Sequence, residues 1–305
     1  MPIDNRYAYL GPEGTFSHEA ARLFARSDAA SSAPDAAPAP DAAPAPGAAS
    51  SASAPDGLFE CATISEIFEL VDRGRARFGV VPIENALEGS VNETLDAFAF
   101  TSGAQILGEV VVDIHHNLVV QPGTALAQID TVASHPQALA QSRRWLQHHL
   151  PTAHTLATTS TAEAVRMAVA DPRLAAIGAG LAARLFGGEV LAEQIEDHLG
   201  NQTRFVLIGN DPLPTPRDTT GYKTSLALFM RQDRPGTLLM ILEEFAYAGL
   251  NLTKIQSRPT KRALGDYMFW IDIDGHTDDI HVKTALDCLR LKLREVKSLG
   301  SYPAA

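Results

Sequence analysis

The stretch that decides the fold of this chain is Asn201-Gln202-Thr203-Arg204-Phe205-Val206-Leu207-Ile208-Gly209. Its second part, from Phe205 onward, is an apolar run of the kind typical of a buried strand. Thr203 and Arg204 stand side by side at the mouth of that strand. Polar groups in such a place cost free energy unless they pair with something, and strand ends line the ligand crevice of open α/β folds. The stretch therefore predicts an α/β protein with a site for a small anionic ligand.

Composition and charge narrow the class of protein. The chain has 305 residues, of which 45% are hydrophobic, and a formal net charge of -11 at pH 7. This acidic balance argues against a general nucleic-acid binder, which usually carries a basic face. Cys61 and Cys288 form no disulfide framework, and the first residues hold no signal-peptide core. Since no apolar run approaches membrane-spanning length, we expect a cytoplasmic protein that binds neither nucleic acid nor membrane.

The order of strand and helix candidates predicts two domains. Through residues 1–212 strands alternate with helices, which favours mostly parallel sheets. Residues 27–57 interrupt this pattern with Ala, Pro, Ser, Asp and Gly, which cannot bury a core, so we predict a disordered insertion. Residues 213–222 contain a proline-rich linker. The order strand, helix, strand, strand, helix, strand over residues 223–302 then predicts a ferredoxin-like βαββαβ domain.

Short polar clusters stand where predicted strands of the first domain give way to helices. They are Gly11-Pro12-Glu13-Gly14-Thr15, Pro82-Ile83-Glu84-Asn85, Ser134-His135-Pro136-Gln137 and Ser160-Thr161, and residues 201–205 form a fifth cluster at the mouth of a strand. Thr15, Ser134 and Ser160 could each be no more than a helix cap. Glu84 could serve only in a structural ion pair. One shared ligand site explains all the clusters better than separate structural roles do.

Two patterns that often mark cofactor or metal sites are weak in this chain. Gly178-Ala179-Gly180-Leu181-Ala182-Ala183 resembles a dinucleotide fingerprint, but no second strand with a terminal acidic residue follows at the usual distance. His115 and His116 are adjacent, and adjacent residues of a strand point to opposite faces. We therefore expect neither a cofactor nor a metal site.

The clusters together resemble the motifs of the prephenate dehydratase family, and the resemblance covers nearly the whole chain outside the insertion. The matching stretches are Gly11-Pro12-Glu13-Gly14-Thr15-Phe16-Ser17-His18, Val81-Pro82-Ile83-Glu84-Asn85 with Gly89, Ser134-His135-Pro136-Gln137-Ala138-Leu139, Thr159-Ser160-Thr161-Ala162 and Asn201-Gln202-Thr203-Arg204-Phe205. The last domain resembles an ACT regulatory module through Arg234-Pro235-Gly236-Thr237-Leu238 and Gln256-Ser257-Arg258-Pro259. Because little chain precedes the first motif, we expect no fused chorismate mutase domain.

The resemblance implies a fold and an activity. It implies a two-lobed catalytic domain like that of periplasmic binding proteins. Within that fold we place the crossings between the lobes near residues 108–115 and 186–193. It implies the decarboxylative dehydration of prephenate to phenylpyruvate, without a cofactor. It also implies regulation by L-phenylalanine at the ACT domain, and assembly as a homodimer or homotetramer.

The resemblance also implies roles for individual residues. Thr203 is expected to donate a hydrogen bond to the leaving hydroxyl, and Arg204 to hold a substrate carboxylate. Glu84 and Asn85 complete the expected catalytic set. Substrate contacts are expected from Thr15, Ser134, Gln137, Ser160, Thr161, Asn201 and Phe205. Effector contacts are expected from Gly236, Thr237, Leu238, Gln256, Ser257 and Arg258.

Several alternatives stay open on the sequence alone. Arg204 could form a salt bridge with Glu84 and only support the site. An arogenate dehydratase would differ only in taking a substrate with an amino group where prephenate has a keto oxygen. A non-catalytic amino-acid sensor would suit the same two-lobed fold. A partner-binding protein that uses the Ala/Pro-rich tract has little support, since the sequence shows neither a helix-turn-helix nor a basic patch.

Overall fold

The structure is a computed structural model that describes residues 7–32, 57–211, 218, 220–232, 234–262 and 265–305, with only the backbone for residues 28–32. Most of the predicted insertion and most of the predicted linker lie outside these residues. The described chain forms a six-stranded, a five-stranded and a four-stranded sheet. None of its helices is long and apolar enough to cross a membrane.

The first lobe is built from the N-terminal part of the chain. Its elements are β1 (Tyr7–Leu10), α1 (Phe16–Ser32), β2 (Leu58–Cys61), α2 (Ile64–Asp72), β3 (Phe78–Asn85), β4 (Gly89–Ser90), α3 (Asn92–Asp96), a π-helical turn (Ala97–Thr101) and β5 (Gln105–Asp113). Helix α1 runs to Ser32, so residues 27–32 are helical although we predicted them to be disordered. The reason is local, because alanine is the strongest helix former and recurs in this stretch.

The second lobe follows after a crossing at residues 114–116. Its elements are β6 (Asn117–Val120), a 3₁₀ turn (Leu126–Gln128), β7 (Thr131–Ser134), α4 (Pro136–Gln141), α5 (Arg143–His149), β8 (His154–Ala157), α6 (Thr161–Ala168), β9 (Leu174–Gly178), α7 (Gly180–Phe186) and β10 (Glu189–Ala192). The chain returns through residues 193–201 to β11 (Gln202–Gly209) of the first sheet. The return comes later than predicted because β10 still pairs with β6 in the second sheet.

Both sheets of the lobes are mixed, so the expectation of mostly parallel sheets is wrong. Strand β1 is parallel to β2 and β3, and β7 is parallel to β8 and β9. Strand β11 lies between β3 and β5 and is antiparallel to both. It runs in that direction because it enters the first sheet on its way back from the second lobe. This insertion places Thr203 directly beside β3.

The C-terminal domain has the predicted βαββαβ order. Its elements are β12 (Tyr222–Phe229), α8 (Thr237–Tyr247), β13 (Leu252–Pro259), β14 (Tyr267–Asp274), α9 (Ile280–Lys292) and β15 (Glu295–Pro303), and the strand order is β13-β14-β12-β15. The helices α8 and α9 cover one face of this sheet through a core that includes Leu228 and Phe245. The other face packs on the first lobe, where Trp270 meets Phe98 with ring centroids 5.8 Å apart. The first lobe and the C-terminal domain thus share one buried apolar cluster.

Candidate functional site

A cleft of about 460 Å³ lies between the two lobes and gathers most of the predicted polar clusters. Its lining residues that we predicted as site residues are Thr15, Asn85, Gln137, Ser160, Thr161, Asn201 and Thr203. They come from the first lobe, from the return segment and from two helices of the second lobe. The shared-site interpretation of these clusters therefore agrees with their positions in the structure.

Two neighbouring strands position the pair at the centre of the cleft, Asn85 and Thr203. Strand β3 ends at Asn85, and β11 begins one residue before Thr203. In the antiparallel ladder Thr203 lies directly opposite Asn85. Directly opposed residues share a face of the sheet and have close side chains. The pairing of two distant segments thus brings an amide next to a hydroxyl.

The hydrogen bonds of Asn85 orient the Thr203 hydroxyl. The Asn85 Oδ1 atom accepts from the backbone N–H groups of Leu87 and Glu88, both at 2.9 Å, so the amide nitrogen must face the other way. Asn85 Nδ2 then donates to Thr203 Oγ1 and to Asn201 Oδ1, both at 2.8 Å. Thr203 Oγ1 accepts this bond and makes no other in the described part of the chain. Its own proton remains available as a donor on the cleft wall.

The opposite walls of the cleft carry helix N-termini. Thr15 precedes α1 and accepts from the His18 backbone N–H at 3.4 Å. Ser160 is the N-cap of α6 and accepts from the Glu163 backbone N–H at 3.0 Å. Unpaired backbone N–H groups and the helix dipole favour anions at such ends. The interpretation of Thr15 and Ser160 as caps is therefore compatible with a ligand role.

Among the described residues that line the cleft, there is no lysine or arginine. The ionisable lining groups are Glu88, His116 and His135. His116 also lines the cleft, although its place beside His115 in the sequence suggested only a weak metal pair. It is buried, its Nε2 lies 2.9 Å from Gln141 Oε1, and burial lowers its pKa. The signal that could have found it is that adjacent residues of an extended segment point to opposite sides. His115 points away from the cleft, and its Nδ1 lies 2.8 Å from Glu196 Oε1.

Arg204 does not line the cleft, which corrects the prediction that it holds a substrate carboxylate. It faces the C-terminal domain and donates to Glu109 Oε2 at 2.5 Å, to Asp272 Oδ2 at 2.7 Å and to the Tyr302 hydroxyl at 2.7 Å. Burial alone would lower the pKa of Arg204, but Tyr302, Asp272 and Glu109 raise it overall. The alternative salt bridge with Glu84 is also wrong. The physical cause is the period of two along β11, which puts Arg204 on the face opposite Thr203.

Three other predicted residues lie outside the cleft lining. Glu84 shares the face of Arg204 and pairs with Lys254 of the C-terminal domain at 2.8 Å. Ser134 is fully buried and donates to the Ile177 carbonyl at 2.7 Å, as a strand-to-strand bond rather than a ligand contact. Phe205 packs in the core beside α1. Glu84 and Ser134 point away from their neighbours in sequence, whereas Phe205 shares the face of Thr203 but is covered by α1.

The predicted effector residues are divided between two faces of the C-terminal domain. Gly236, Thr237 and Leu238 line a pocket of about 390 Å³ together with Phe269. Gly236 has φ +88°, a left-handed conformation that favours glycine, at the N-cap of α8. Ser257 does not line this pocket, but it lies opposite Phe269 in the sheet.

Gln256 and Arg258 face the first lobe instead of this pocket. Arg258 donates to Asp96 Oδ1 at 2.9 Å and also bonds Asn92. The Oε1 atom of Gln256 is buried and has no hydrogen-bond partner among the described residues. The expectation that these two residues contact the effector is corrected, because side chains alternate along β13.

Comparison with protein families gives two matches. The family model described as prephenate dehydratase matches residues 47–213, and the ACT domain model matches residues 224–287. A prephenate dehydratase of Mycolicibacterium vanbaalenii is 41% identical over 297 residues, which cover 97% of this chain and 90% of the relative.

Comparison with solved structures gives the same family and one further activity. A prephenate dehydratase of Arthrobacter aurescens in complex with L-Phe has a TM-score of 0.81 and 37% identity, covering 98% of this chain and 90% of that one. A protein described as a quorum-quenching acylase has a TM-score of 0.79 and 27% identity, covering 98% of both chains.

Proposed function

This chain belongs to the prephenate dehydratase family, and from that premise we propose that it converts prephenate to phenylpyruvate, carbon dioxide and water in the cleft between its lobes. The observation that carries the proposal is the bond from Asn85 to Thr203, which leaves the Thr203 proton available on the cleft wall. A hydroxyl donor at that place is what departure of a ring hydroxyl requires.

The chemistry assigns Thr203 a definite task. The bond between the ring and its carboxylate breaks and releases carbon dioxide, while its electrons enter the ring. The ring becomes aromatic as the carbon–oxygen bond to the hydroxyl breaks, and the departing hydroxide takes one proton to become water. A positioned donor contributes about 10²–10⁴ in rate to such a step. Threonine is a weak acid, so Thr203 donates a hydrogen bond and solvent supplies the net proton.

The substrate carboxylates would be held by neutral donors rather than by arginine. The N-termini of α1 and α6 offer backbone N–H groups beside the hydroxyls of Thr15, Ser160 and Thr161. Gln137 of α4 adds a side-chain amide from the second lobe. Such donors can bind the two carboxylates of the substrate. They form no strong ion pair with the product, so none has to be broken when the product leaves.

Replacing Asn85 with aspartate tests how the Thr203 proton is directed. In Asn85→Asp the side-chain oxygens still accept from Leu87 and Glu88, so the turn is kept. The new carboxylate would accept the Thr203 proton instead of donating to its oxygen. We expect kcat to fall by about 10²-fold with little change in Tm. Steady-state kinetics and thermal unfolding measure both, and a kcat within about threefold of the wild type would contradict the assignment.

We further propose that the C-terminal domain binds L-phenylalanine and that the chain forms homo-oligomers. The pocket at Gly236, Thr237 and Leu238 supports the first point, and the relative from Arthrobacter aurescens was crystallised with L-Phe. Exposed apolar side chains support the second, since Leu239 is 60% and Tyr247 82% exposed on α8. The free thiols Cys61 and Cys288 support a cytoplasmic location.

One assay tests the proposed function against its alternatives. Purified protein is given prephenate, and phenylpyruvate is measured with and without L-phenylalanine. We expect turnover on prephenate with a higher kcat/KM than on arogenate, and a change in activity when the amino acid is added. A higher kcat/KM on arogenate would make it an arogenate dehydratase. Binding of L-phenylalanine without turnover of either compound would favour the sensor, and turnover only of an acylated substrate would favour an acylase, since fold alone does not decide the reaction.

A further inference from the structure

Lys254 on β13 of the C-terminal domain is a buried cation that contacts a residue of the cleft wall without lining the cleft itself. The side chain of Lys254 is 7% exposed. Its Nζ lies 2.8 Å from Glu84 Oε2 and donates to Ser90 Oγ at 2.8 Å. Ser90 lines the cleft, whereas Glu84 stands next to Asn85 in β3. A residue of the C-terminal domain thus bonds both ends of a segment that forms the cleft.

That segment, residues 84–90, is the hairpin that presents Asn85. Strand β4 returns beside β3, with Glu84 opposite Ser90 and Asn85 opposite Gly89. With two residues in β4, the hairpin is too short to be stable without further contacts. Lys254 supplies such contacts, because it bonds Glu84 in one strand and Ser90 in the other.

The energetics favour a fixed geometry for these contacts. A buried ammonium group is costly unless it is paired and hydrogen-bonded. Lys254 meets that demand with Ser90 and with Glu84, whose side chain is 40% exposed, and moving Glu84 away would leave the ammonium group without its ion-pair partner. The position of β13 is therefore coupled to the position of the hairpin. Through the bond from Asn85 to Thr203 the coupling reaches the donor hydroxyl.

We propose that Lys254 is a positioning residue for the dehydration, through which the C-terminal domain sets the geometry of the Asn85–Thr203 pair; this rests on the proposed function. Strand β13 also carries Ser257, which lies opposite Phe269 of the proposed effector pocket. Phe269 of β14 lines that pocket and pairs with Ser257, so a ligand there that displaces β14 would also move β13 and Lys254 and so change turnover.

The test compares three lysine variants of the full-length protein. Lys254→Met removes the charge but keeps the stem, Lys254→Arg keeps the charge, and Lys292→Met removes the lysine that pairs with Glu244 on the far side of the domain. Displacing a reacting group by about 1 Å can cost about 10²-fold. We expect Lys254→Met to lower kcat by about 10- to 100-fold with KM changed less than about threefold. Lys254→Arg should recover part of the loss, and Lys292→Met should behave as the wild type.

A double-mutant cycle and the effector response complete the test. Glu84→Gln should lower kcat as Lys254→Met does, and the double variant should lose no more than either single variant. L-phenylalanine should still bind Lys254→Met by calorimetry, while its effect on kcat/KM shrinks to less than about twofold. An unchanged kcat in Lys254→Met, or losses that multiply in the double variant, would overturn the inference. If the wild type makes no phenylpyruvate, the proposed function fails and the inference fails with it. If the wild type is active but Lys254→Met is equally active, only the inference fails.

Discussion

Thr203→Ala lowers kcat by about 10²–10⁴-fold while the protein stays folded, because the variant loses the one group assigned to help the hydroxyl leave. The side chain is small, and its bond from Asn85 is one of two that Asn85 Nδ2 donates at 2.8 Å. Loss of one such bond costs stability by only about 0.5–1.5 kcal/mol. We therefore expect Thr203→Ala to show a large loss in kcat with only a small loss in stability.

Steady-state kinetics on prephenate measure the effect, with thermal unfolding as the check on the fold. The matched control is Thr203→Ser, which keeps a hydroxyl at the same place and should keep a substantial part of kcat. KM should change by less than about tenfold in both variants, since the donor acts mainly in the transition state. Turnover near the wild-type value in Thr203→Ala would remove Thr203 from the mechanism.

Arg204→Leu destabilises the protein strongly, because it leaves the buried carboxylates of Glu109 and Asp272 without their shared cation. Both carboxylate side chains are at most 3% exposed. Removing one partner of a buried pair typically costs about 3–5 kcal/mol. At roughly 2–4 °C per kcal/mol for a protein of this size, we expect Tm to fall by about 10 °C. Differential scanning calorimetry measures this directly.

Two comparisons make the Arg204 prediction specific. Arg290→Leu removes an arginine whose pair with Asp287 is more than half exposed, so it should leave Tm nearly unchanged. Below its own Tm, Arg204→Leu should bind prephenate with a KM within about threefold of the wild type, because Arg204 does not touch the cleft. A KM raised by about 100-fold with an unchanged Tm would restore the carboxylate-binding role that the sequence suggested.

Asp272 and Glu109 keep other hydrogen bonds when Arg204 is replaced, and these contacts limit the expected loss of stability. Asp272 Oδ1 still accepts from Ser225 at 2.7 Å and from the Trp270 indole at 2.8 Å. Glu109 Oε1 still accepts from Lys223 at 2.7 Å. The network joins β5 and β11 of the first lobe to three strands of the C-terminal sheet. It therefore supports the domain interface as well as the strand that carries Thr203.

The sequence predicted the C-terminal fold and much of the cleft because those features depend on local pattern. Alternation of strands and helices, with glycine and polar residues at the junctions, indicated where side chains such as Thr15, Ser160 and Thr203 would stand. Resemblance to family motifs joined these junctions into one site. The parallel arrangement failed because the direction of β11 depends on where the chain returns from the second lobe, which no local pattern contains.

The residues themselves determined that a hydroxyl and a guanidinium would occupy neighbouring places at one strand end, and that they would point to opposite faces. Only the tertiary structure decided which face is the cleft. It did so by packing the C-terminal sheet against one side, where Asp272 and Tyr302 hold Arg204 and Lys254 holds Glu84. A buried cation stays where its distant partners satisfy it, so Arg204 supports the site from behind while Thr203 faces the ligand.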